Sequence, residues 1–131
     1  MVQEYRHSGH SVSLVNYHLV WIPRRRRKVL VGAVKMRLIA LIKQEAKKLG
    51  LTILALEVMP DHLHLFVNTT PDIPANHIVA QIKGYTSRIL RLEFTELMKM
   101  PSMWTRSYFA STAGNVSNET IRKYIEAQTK K

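Results

Sequence analysis

The fold of this chain is decided by the stretch Met59-Pro60-Asp61-His62-Leu63-His64-Leu65-Phe66-Val67. A Pro-Asp pair is typical of a turn, and a short apolar run interrupted by two histidines is typical of a β-strand. Alternate side chains of a strand share a face, so His62 and His64 are expected to project together, roughly 6.6 Å apart at ~3.3 Å per residue. The leucines between and after them then point into a core. Two such imidazoles can form half of a metal site.

Composition and charge narrow the class of protein. The chain has 131 residues, of which 46% are hydrophobic and 22% charged, and we expect one globular domain over residues 1–131. The net charge of +11 predicts a polyanionic partner, with nucleic acid first and an acidic membrane surface second. No apolar run approaches the ~20 residues of a membrane span, and residues 1–10 are polar, so we expect no membrane association and no signal peptide. Zero cysteines exclude thiol catalysis and thiolate ligands and fit a cytoplasmic protein of bacterial type.

The periodicity of the chain predicts the element order βαββαβα. An α+β, ferredoxin-like (RRM-like) antiparallel sheet follows from the first six elements, with strands one and three central and both helices on one face. The histidine-bearing strand is therefore central, and the seventh element is left to reach the uncovered face. We predict strands at 12–22, 51–58, 62–67 and 104–112, and helices at 33–49, 75–97 and 118–128.

A run of five cations, Arg24-Arg25-Arg26-Arg27-Lys28, follows the proline that ends the first predicted strand. Neighbouring cations repel one another and are costly to bury, so the run must be solvated or paired with anions. A solvated loop is the simpler interpretation. Because the whole chain is already strongly basic, we favour contact with the phosphates of a nucleic acid.

The last predicted helix carries a polar stripe beside an apolar one. Thr120, Tyr124 and Gln128 recur every four residues and share one side, while Ile121 and Ile125 form an adjacent stripe that could dock the helix. A phenol has an ordinary pKa of about 10, so a tyrosine is a poor nucleophile at neutral pH unless a metal ion or a base assists it.

A divalent cation would provide that assistance by withdrawing charge from a phosphate. The chain has no cysteine and no cluster of carboxylates, so the ligands that we can name are His62, His64 and the side-chain oxygen of Gln128. His18, on the first predicted strand, is a candidate neighbour of the histidine pair. A single strand histidine is more typical of a hydrogen-bonded packing residue than of a ligand.

Five blocks of the sequence resemble the small single-tyrosine transposases of bacterial and archaeal insertion sequences (transposase A, insertion-sequence 200/605 type), which belong to the His-hydrophobic-His (HUH) superfamily. The blocks occur in the same order as in that family and span nearly the whole chain. They are HSVSLVNYHLVW at 10–21, VMPDHLHLFV at 58–67, IKGYTSR at 82–88, WTRSYF at 104–109 and GNVSNETIRKYIEAQ at 114–128.

The resemblance implies a role for particular residues. His62 and His64 match the HUH pair that binds a divalent ion, Mg²⁺ or Mn²⁺ in the family, Gln128 matches the third ligand, and Tyr124 matches the nucleophile. The implied reaction is cleavage of single-stranded DNA at the ends of the element, with a 5′-phosphotyrosine link and a free 3′-hydroxyl, followed by rejoining. The resemblance further implies a homodimer that binds subterminal DNA hairpins, with the tyrosine helix acting within one subunit or across two. The expected DNA contacts are Arg24, Arg25, Arg26, Arg27, Lys28, Arg88, Arg122 and Lys123.

Alternative functions stay open at the level of sequence. Within the superfamily, the chain could be a domesticated relative that processes palindromes, or a replication or conjugation nicking domain. A non-catalytic ferredoxin-like module that binds nucleic acid would also explain the charge, although such modules usually read bases with exposed aromatic residues. Tyr108 is the rival nucleophile, but it lies on a predicted strand and is expected to be packed. Two imidazoles suit Mn²⁺ or Zn²⁺ better than Mg²⁺, so residue type alone leaves the metal open.

Overall fold

The structure is a computed structural model that describes residues 7–8, 11–12, 14–112 and 117–128. Two short strands, His7–Ser8 and Ser11–Val12, pair with each other before the main sheet begins. The main elements then follow in the predicted order. They are β1 (Val15–Trp21), α1 (Gly32–Leu49), β2 (Thr52–Met59), β3 (His62–Thr69), α2 (Ala75–Glu93), β4 (Phe109–Ser111) and α3 (Asn118–Ala127).

The four-stranded sheet has the order β2-β3-β1-β4, and every neighbouring pair is antiparallel. The tight turn after Met59 makes β2 and β3 a hairpin, in which Met59 pairs with His62. Strands β1 and β3 are central, and Leu19 of β1 pairs with Leu65 of β3. The structure therefore confirms the predicted α+β, ferredoxin-like arrangement.

Alternation along the central strands divides the side chains between two faces. On one face, Leu63, Leu65 and Val67 of β3 are buried in the main core with residues of both α1 and α2. On the other face, Val20 of β1 and Ile22, the residue just after this strand, pack against α3. Burial on both faces explains why the central strands are rich in branched apolar residues.

Two helix ends follow the chemistry of their terminal residues. Helix α1 ends at Gly50, which has a φ of 77° and donates its backbone N–H to the carbonyls of Ala46 and Lys47. Helix α3 begins after Ser117, whose side-chain oxygen accepts a hydrogen bond from the backbone N–H of Thr120 at 3.1 Å. Within the described residues, none of the helices combines the length and apolar character of a membrane span.

The structure corrects the bounds of two strands. The first strand of the sheet begins at Val15 rather than at residue 12, because Ser11–Val12 pairs with His7–Ser8 instead. The last strand has three residues rather than nine. Trp104 forms an isolated bridge with Pro23 and donates its indole N–H to Thr86, so it does not extend the strand.

Two further segments differ from the prediction. The second helix ends at Glu93 rather than at residue 97, because Phe94 leaves helical geometry (φ −120°, ψ 89°), and Thr95–Lys99 forms a 3-10 turn. The cationic run contains a 3-10 turn at Arg24–Arg26 instead of a plain loop. Arg25 and Arg26 have φ values of 58° and 56°, which cost energy for residues that carry a Cβ atom.

Candidate active site

The histidine pair lies side by side on β3. The ring centroids of His62 and His64 are 5.1 Å apart, and both side chains are half-buried. They line a pocket of about 330 Å³ that is closed on the other side by helix α3. The remaining lining residues are Arg26, Asn118, Ile121, Arg122 and Ile125.

The imidazole of His62 is fixed by an acidic neighbour. Its Nδ1 lies 2.8 Å from Oδ1 of Asp61, and the other oxygen of Asp61 accepts a hydrogen bond from Nε of Arg26 at 2.8 Å. Burial opposes ionisation of Asp61, but the hydrogen bonds from His62 and Arg26 outweigh it and hold the pKa of this carboxyl below its usual value. Because an ionised carboxylate only accepts, Nδ1 of His62 donates, and Nε2 keeps the lone pair that a metal ion needs.

The imidazole of His64 has a histidine as its neighbour. Its Nδ1 lies 3.4 Å from Nε2 of His18, as the sequence suggested for a residue beside the pair. Burial lowers the pKa of His64, and the nearby His62 and His18 lower it further, while Glu57 acts in the opposite direction. The imidazole is therefore neutral at pH 7, which is the form that binds metal ions.

Tyr124 and Gln128 form a second group around Ser107. The hydroxyl of Ser107 donates to Oε1 of Gln128 at 2.8 Å and lies 3.1 Å from the hydroxyl of Tyr124. Since the single proton of Ser107 is used on Gln128, the phenol donates to Ser107. Burial raises the pKa of Tyr124, and the hydrogen bond with Ser107 opposes that rise. The phenol is therefore protonated at pH 7.

A half-buried lysine holds the loop that carries Ser107. The ammonium group of Lys83, on α2, donates to the carbonyls of Thr105, Arg106 and Ser107 at 2.5, 3.4 and 3.3 Å. Burial lowers the pKa of Lys83 to about 8. The loop is thus anchored to a helix on the opposite face of the sheet, and Ser107 is anchored with it.

The two groups lie on opposite flanks of α3. The helix packs over β1 through Ile121 and Ile125, with the histidine pair toward β3 and Ser107 toward β4. Two strand spacings of ~4.8 Å put β3 and β4 about 10 Å apart. Among the described residues, no hydrogen bond or ring contact joins Tyr124 or Gln128 to either imidazole. One chain therefore brings the predicted site residues together as two half-sites rather than as one site. One half-site contains His62 and His64, and the other contains Tyr124 and Gln128.

The described residues also hold no cluster of three or more His, Cys, Asp or Glu side chains that would bind a metal ion. The imidazole pair on its own supplies two ligands. The side-chain oxygen of Gln128 lies in the other half-site, where it accepts the hydrogen bond of Ser107. A three-ligand centre thus requires the two half-sites to meet.

The predicted DNA contacts differ in whether the side chain is exposed and in whether a carboxylate already pairs with its charge. Arg25, Arg27, Lys28, Arg88 and Lys123 are exposed. Arg24 lines a pocket beside Gln128, and Arg26 is paired with Asp61. Arg122 is bound on both sides by carboxylates of its own helix, Glu119 at 2.6 Å and Glu126 at 2.7 Å, so much of its charge is already compensated.

Sequence reasoning missed three residues of these half-sites. Asp61, Lys83 and Ser107 carry the hydrogen bonds that orient the histidine, the loop and the tyrosine, yet the sequence indicates a turn role for Asp61 and no role for the other two. A signal was present, because the blocks at 58–67, 82–88 and 104–109 contain them. Asp61 adjoins His62 in the sequence, but the contacts of Asp61 with Arg26, of Lys83 with residues 105–107 and of Ser107 with Tyr124 join distant segments, so spacing alone could not assign them.

The sequence matches one family over nearly its whole length. Residues 11–128 match the family described as "Transposase IS200 like". The chain belongs to the IS200-like transposases. Membership implies an enzyme that cleaves DNA.

Two related proteins support the assignment of this chain to the IS200-like transposases. The ISDra2 transposase TnpA of Deinococcus radiodurans is 33% identical over 117 residues, which cover 87% of this chain and 84% of the relative. The transposase for insertion sequence element IS200 of Salmonella typhimurium is 25% identical over 115 residues, which cover 86% and 75%.

Two solved structures share the fold of the transposase. A crystal structure of a Deinococcus radiodurans R1 protein, described as a transposase, superimposes with a TM-score of 0.86 at 33% identity and covers 94% of this chain and 97% of that one. A REP-associated tyrosine transposase bound to a REP hairpin superimposes with a TM-score of 0.59 at 17% identity, over 97% of this chain and 70% of that one. The second likeness shows the fold alone.

Proposed function

We propose that this transposase cleaves single-stranded DNA at the ends of an insertion sequence and rejoins the strands through a 5′-phosphotyrosine link on Tyr124. The observation that carries the proposal is the paired presentation of His62 and His64. Both imidazoles open into one pocket beside the helix that bears the tyrosine, with Nδ1 of each already turned to a partner. This arrangement suits a metal-assisted transfer of a phosphoryl group.

The proposed reaction exchanges one phosphodiester for another. The oxygen of Tyr124 bonds to the phosphorus, the bond from phosphorus to the 3′-oxygen breaks, and the phenol proton ends on that oxygen, which becomes a 3′-hydroxyl. The energy of the ester is kept in the protein–DNA link, so no nucleotide cofactor is needed and a 3′-hydroxyl can reverse the step. Because burial raises the pKa of Tyr124, loss of its proton needs assistance in the assembled site.

A divalent ion, Mg²⁺ or Mn²⁺, fits the donor set of the two half-sites. Nε2 of His62, the imidazole of His64 and Oε1 of Gln128 would hold it. When bound, the ion would withdraw charge from the scissile phosphate. Two nitrogen donors favour Mn²⁺ over Mg²⁺, because Mg²⁺ prefers oxygen ligands.

A homodimer accounts for the separation of the two half-sites. Tyr124 and Gln128 lie on the β4 flank of α3, away from the histidines of their own chain. We propose that α3 of one protomer completes the site of its partner. A twofold arrangement then produces two equivalent sites, each with one tyrosine, as the joining of two DNA ends requires.

The proposed substrate is single-stranded DNA with hairpins near the ends of the element. The net charge of +11 supports a polyanionic partner, and the exposed cations Arg25, Arg27 and Lys28 lie in the loop that also supplies Arg26 to the histidine pocket. Hairpin recognition is part of the proposal because the sequence resembles a family that binds subterminal hairpins, and a protein of the same fold is bound to a REP hairpin. A DNA substrate further implies that the protein works in the cytoplasm.

The proposal is tested by covalent trapping. Wild-type protein, incubated with Mn²⁺ and a labelled single strand from an element end, is expected to give a protein–DNA adduct on a denaturing gel. Tyr124→Phe should bind the strand with unchanged affinity but form no adduct, because only the nucleophilic oxygen is lost. Tyr108→Phe is the matched control and should form the adduct as wild type does. An adduct that survives Tyr124→Phe and disappears in Tyr108→Phe would move the nucleophile to Tyr108.

A further inference from the structure

A second pocket, of about 340 Å³, lies on the β4 side of α3. We call it the Arg24–Arg106 pocket. None of the described residues that line it carries a carboxylate, whereas in the histidine pocket the lining residue Arg26 is paired with Asp61. Its lining residues are Arg24, Thr105, Arg106, Ser107 and Gln128.

Arg24 has donor capacity that the protein leaves unused. Its terminal nitrogen donates to the hydroxyl of Ser102 at 3.2 Å, while its Nε is buried and has no hydrogen-bond partner among the described residues. A buried donor without a partner costs free energy, and a bound anion would supply the missing acceptor. The orphaned Nε thus points to a negatively charged ligand.

Two further cations surround the same loop. Arg106 is exposed, and none of the ion pairs among the described residues includes it. Lys83 donates to the carbonyls of residues 105–107 from behind the loop. The pocket therefore combines a fixed backbone with positive charge on several sides, which is the chemistry that binds a phosphate.

The pocket adjoins the hydroxyl of the proposed nucleophile. Ser107 and Gln128 line it, and Ser107 Oγ lies 3.1 Å from the hydroxyl of Tyr124. A phosphate attached to this hydroxyl would lie next to the pocket that Arg24 and Arg106 line. Neither imidazole lines this pocket, so it shares only Gln128 with the proposed metal centre.

We propose that the Arg24–Arg106 pocket binds the 5′-phosphate of the DNA strand linked to Tyr124, an aryl phosphodiester. This inference rests on the proposed function, because the link exists only if Tyr124 is the nucleophile. The pocket holds the linked strand while α3 lies away from the histidines, between cleavage and rejoining. Arg24 and Arg106 act on the phosphate directly.

The first test needs neither metal nor cleavage. Tyr124→Phe protein in EDTA is titrated with a fluorescent single strand that carries either a 5′-phosphate or a 5′-hydroxyl. The phosphorylated strand should bind about tenfold more tightly, the size expected of one charge-assisted hydrogen bond. Adding Arg24→Gln or Arg106→Gln should abolish this preference. Lys47→Gln, which removes an exposed cation from α1, should weaken both strands equally and keep the preference.

Each outcome decides between the alternatives. The proposal that this pocket binds the 5′-phosphate would be overturned by equal affinity for the two strands. It would also be overturned if Lys47→Gln reduced the preference as much as Arg106→Gln does. Arg106 is exposed, so its variant keeps the test valid even if Arg24→Gln fails to fold. If wild-type protein forms no adduct while the 5′-phosphate preference persists, the cleavage proposal fails and the pocket stands as a site for a 5′-phosphate. If the adduct forms, Arg106→Gln should lower its equilibrium fraction about tenfold.

Discussion

Hydrogen-bond partners set the chemistry that each residue of the two half-sites can perform. His62 donates Nδ1–H to Asp61, so its free nitrogen is Nε2. Tyr124 donates to Ser107 and burial raises its pKa, so its oxygen keeps its proton at pH 7. Lys83 donates its ammonium protons to backbone carbonyls rather than to a carboxylate. The roles of Tyr124 and Lys83 follow from contacts between segments far apart in the sequence, whereas that of His62 follows from its immediate neighbour.

At this scale we expect Asp61→Asn to weaken metal binding. The amide keeps the size of the carboxylate but loses the charge that orients His62. Loss of such a partner typically lowers metal affinity about 10–100-fold. Calorimetric titration with Mn²⁺ measures the change without DNA. Asp72→Asn, at an exposed position, is the control and should bind as wild type does. Unchanged affinity in Asp61→Asn would show that Asp61 does not orient a metal ligand.

A second prediction concerns the pH dependence of stability at Lys83. Burial lowers its pKa to about 8 from an ordinary value of 10.5. Below pH 8 the ammonium of Lys83 is charged in both the folded and the unfolded protein, so the cost of burying the charge lowers the stability in full. Between these two pKa values the unfolded chain binds more protons than the folded one, so wild-type stability should rise with pH relative to Lys83→Met. Urea unfolding across this range measures the difference, and parallel pH curves for the two proteins would contradict a lowered pKa.

Helix α3 is the element that decides how the half-sites are divided. Its amphipathic pattern predicts a docked helix, and Ile121 and Ile125 do dock on Val20 and Ile22. The same docking fixes the rotation of the helix about its axis. That rotation directs Tyr124 toward Phe109 and Ser107 instead of toward the histidines.

At the element scale we expect Ile125→Ala to release α3 while the sheet stays folded. Truncating a buried isoleucine costs about 2–4 kcal/mol, and α3 contacts the sheet through a small apolar cluster separate from the main core. Hydrogen exchange should therefore accelerate in α3 and stay slow in β3. Lys123→Ala, at an exposed position on the same helix, is the control and should leave exchange unchanged. Equal acceleration in α3 and β3 would show that the helix and the sheet unfold as one unit.

Elements with strong local patterns could be predicted from the sequence. The Pro-Asp turn and the alternation after it predicted β3, and the spacing of apolar residues predicted α1 and α3 closely. The stretch before β4 could not be predicted in this way. Trp104 and Thr105 read as strand residues, but a bridge to Pro23 and the ammonium of Lys83 hold this stretch outside the sheet.

The candidate site was predictable only in part, for a related reason. The spacing of His62 and His64 fixes their common face, because a strand alternates. The spacing of Tyr124 and Gln128 likewise fixes their common stripe. Which flank of α3 carries that stripe depends on packing against β1, and periodicity holds no information about it.

At the scale of the whole molecule, the separation of the two half-sites is the reason for proposing a homodimer. The chain presents a pair of imidazoles on one flank of α3 and a tyrosine with a glutamine on the other. Two copies related by a twofold axis can bring unlike flanks together. The central claim is that cleavage occurs where the tyrosine of one protomer meets the histidines of its partner.

Mixing two inactive variants tests this claim most directly. His64→Ala and Tyr124→Phe should each fail to cleave a single strand from an element end in the presence of Mn²⁺. A mixed dimer contains one site in which intact histidines from one protomer face an intact tyrosine from the other. We therefore predict that mixing and re-equilibrating the two variants restores the protein–DNA adduct, and that the adduct forms on the His64→Ala chain. Mixed dimers that form but show no adduct would contradict a site shared between protomers.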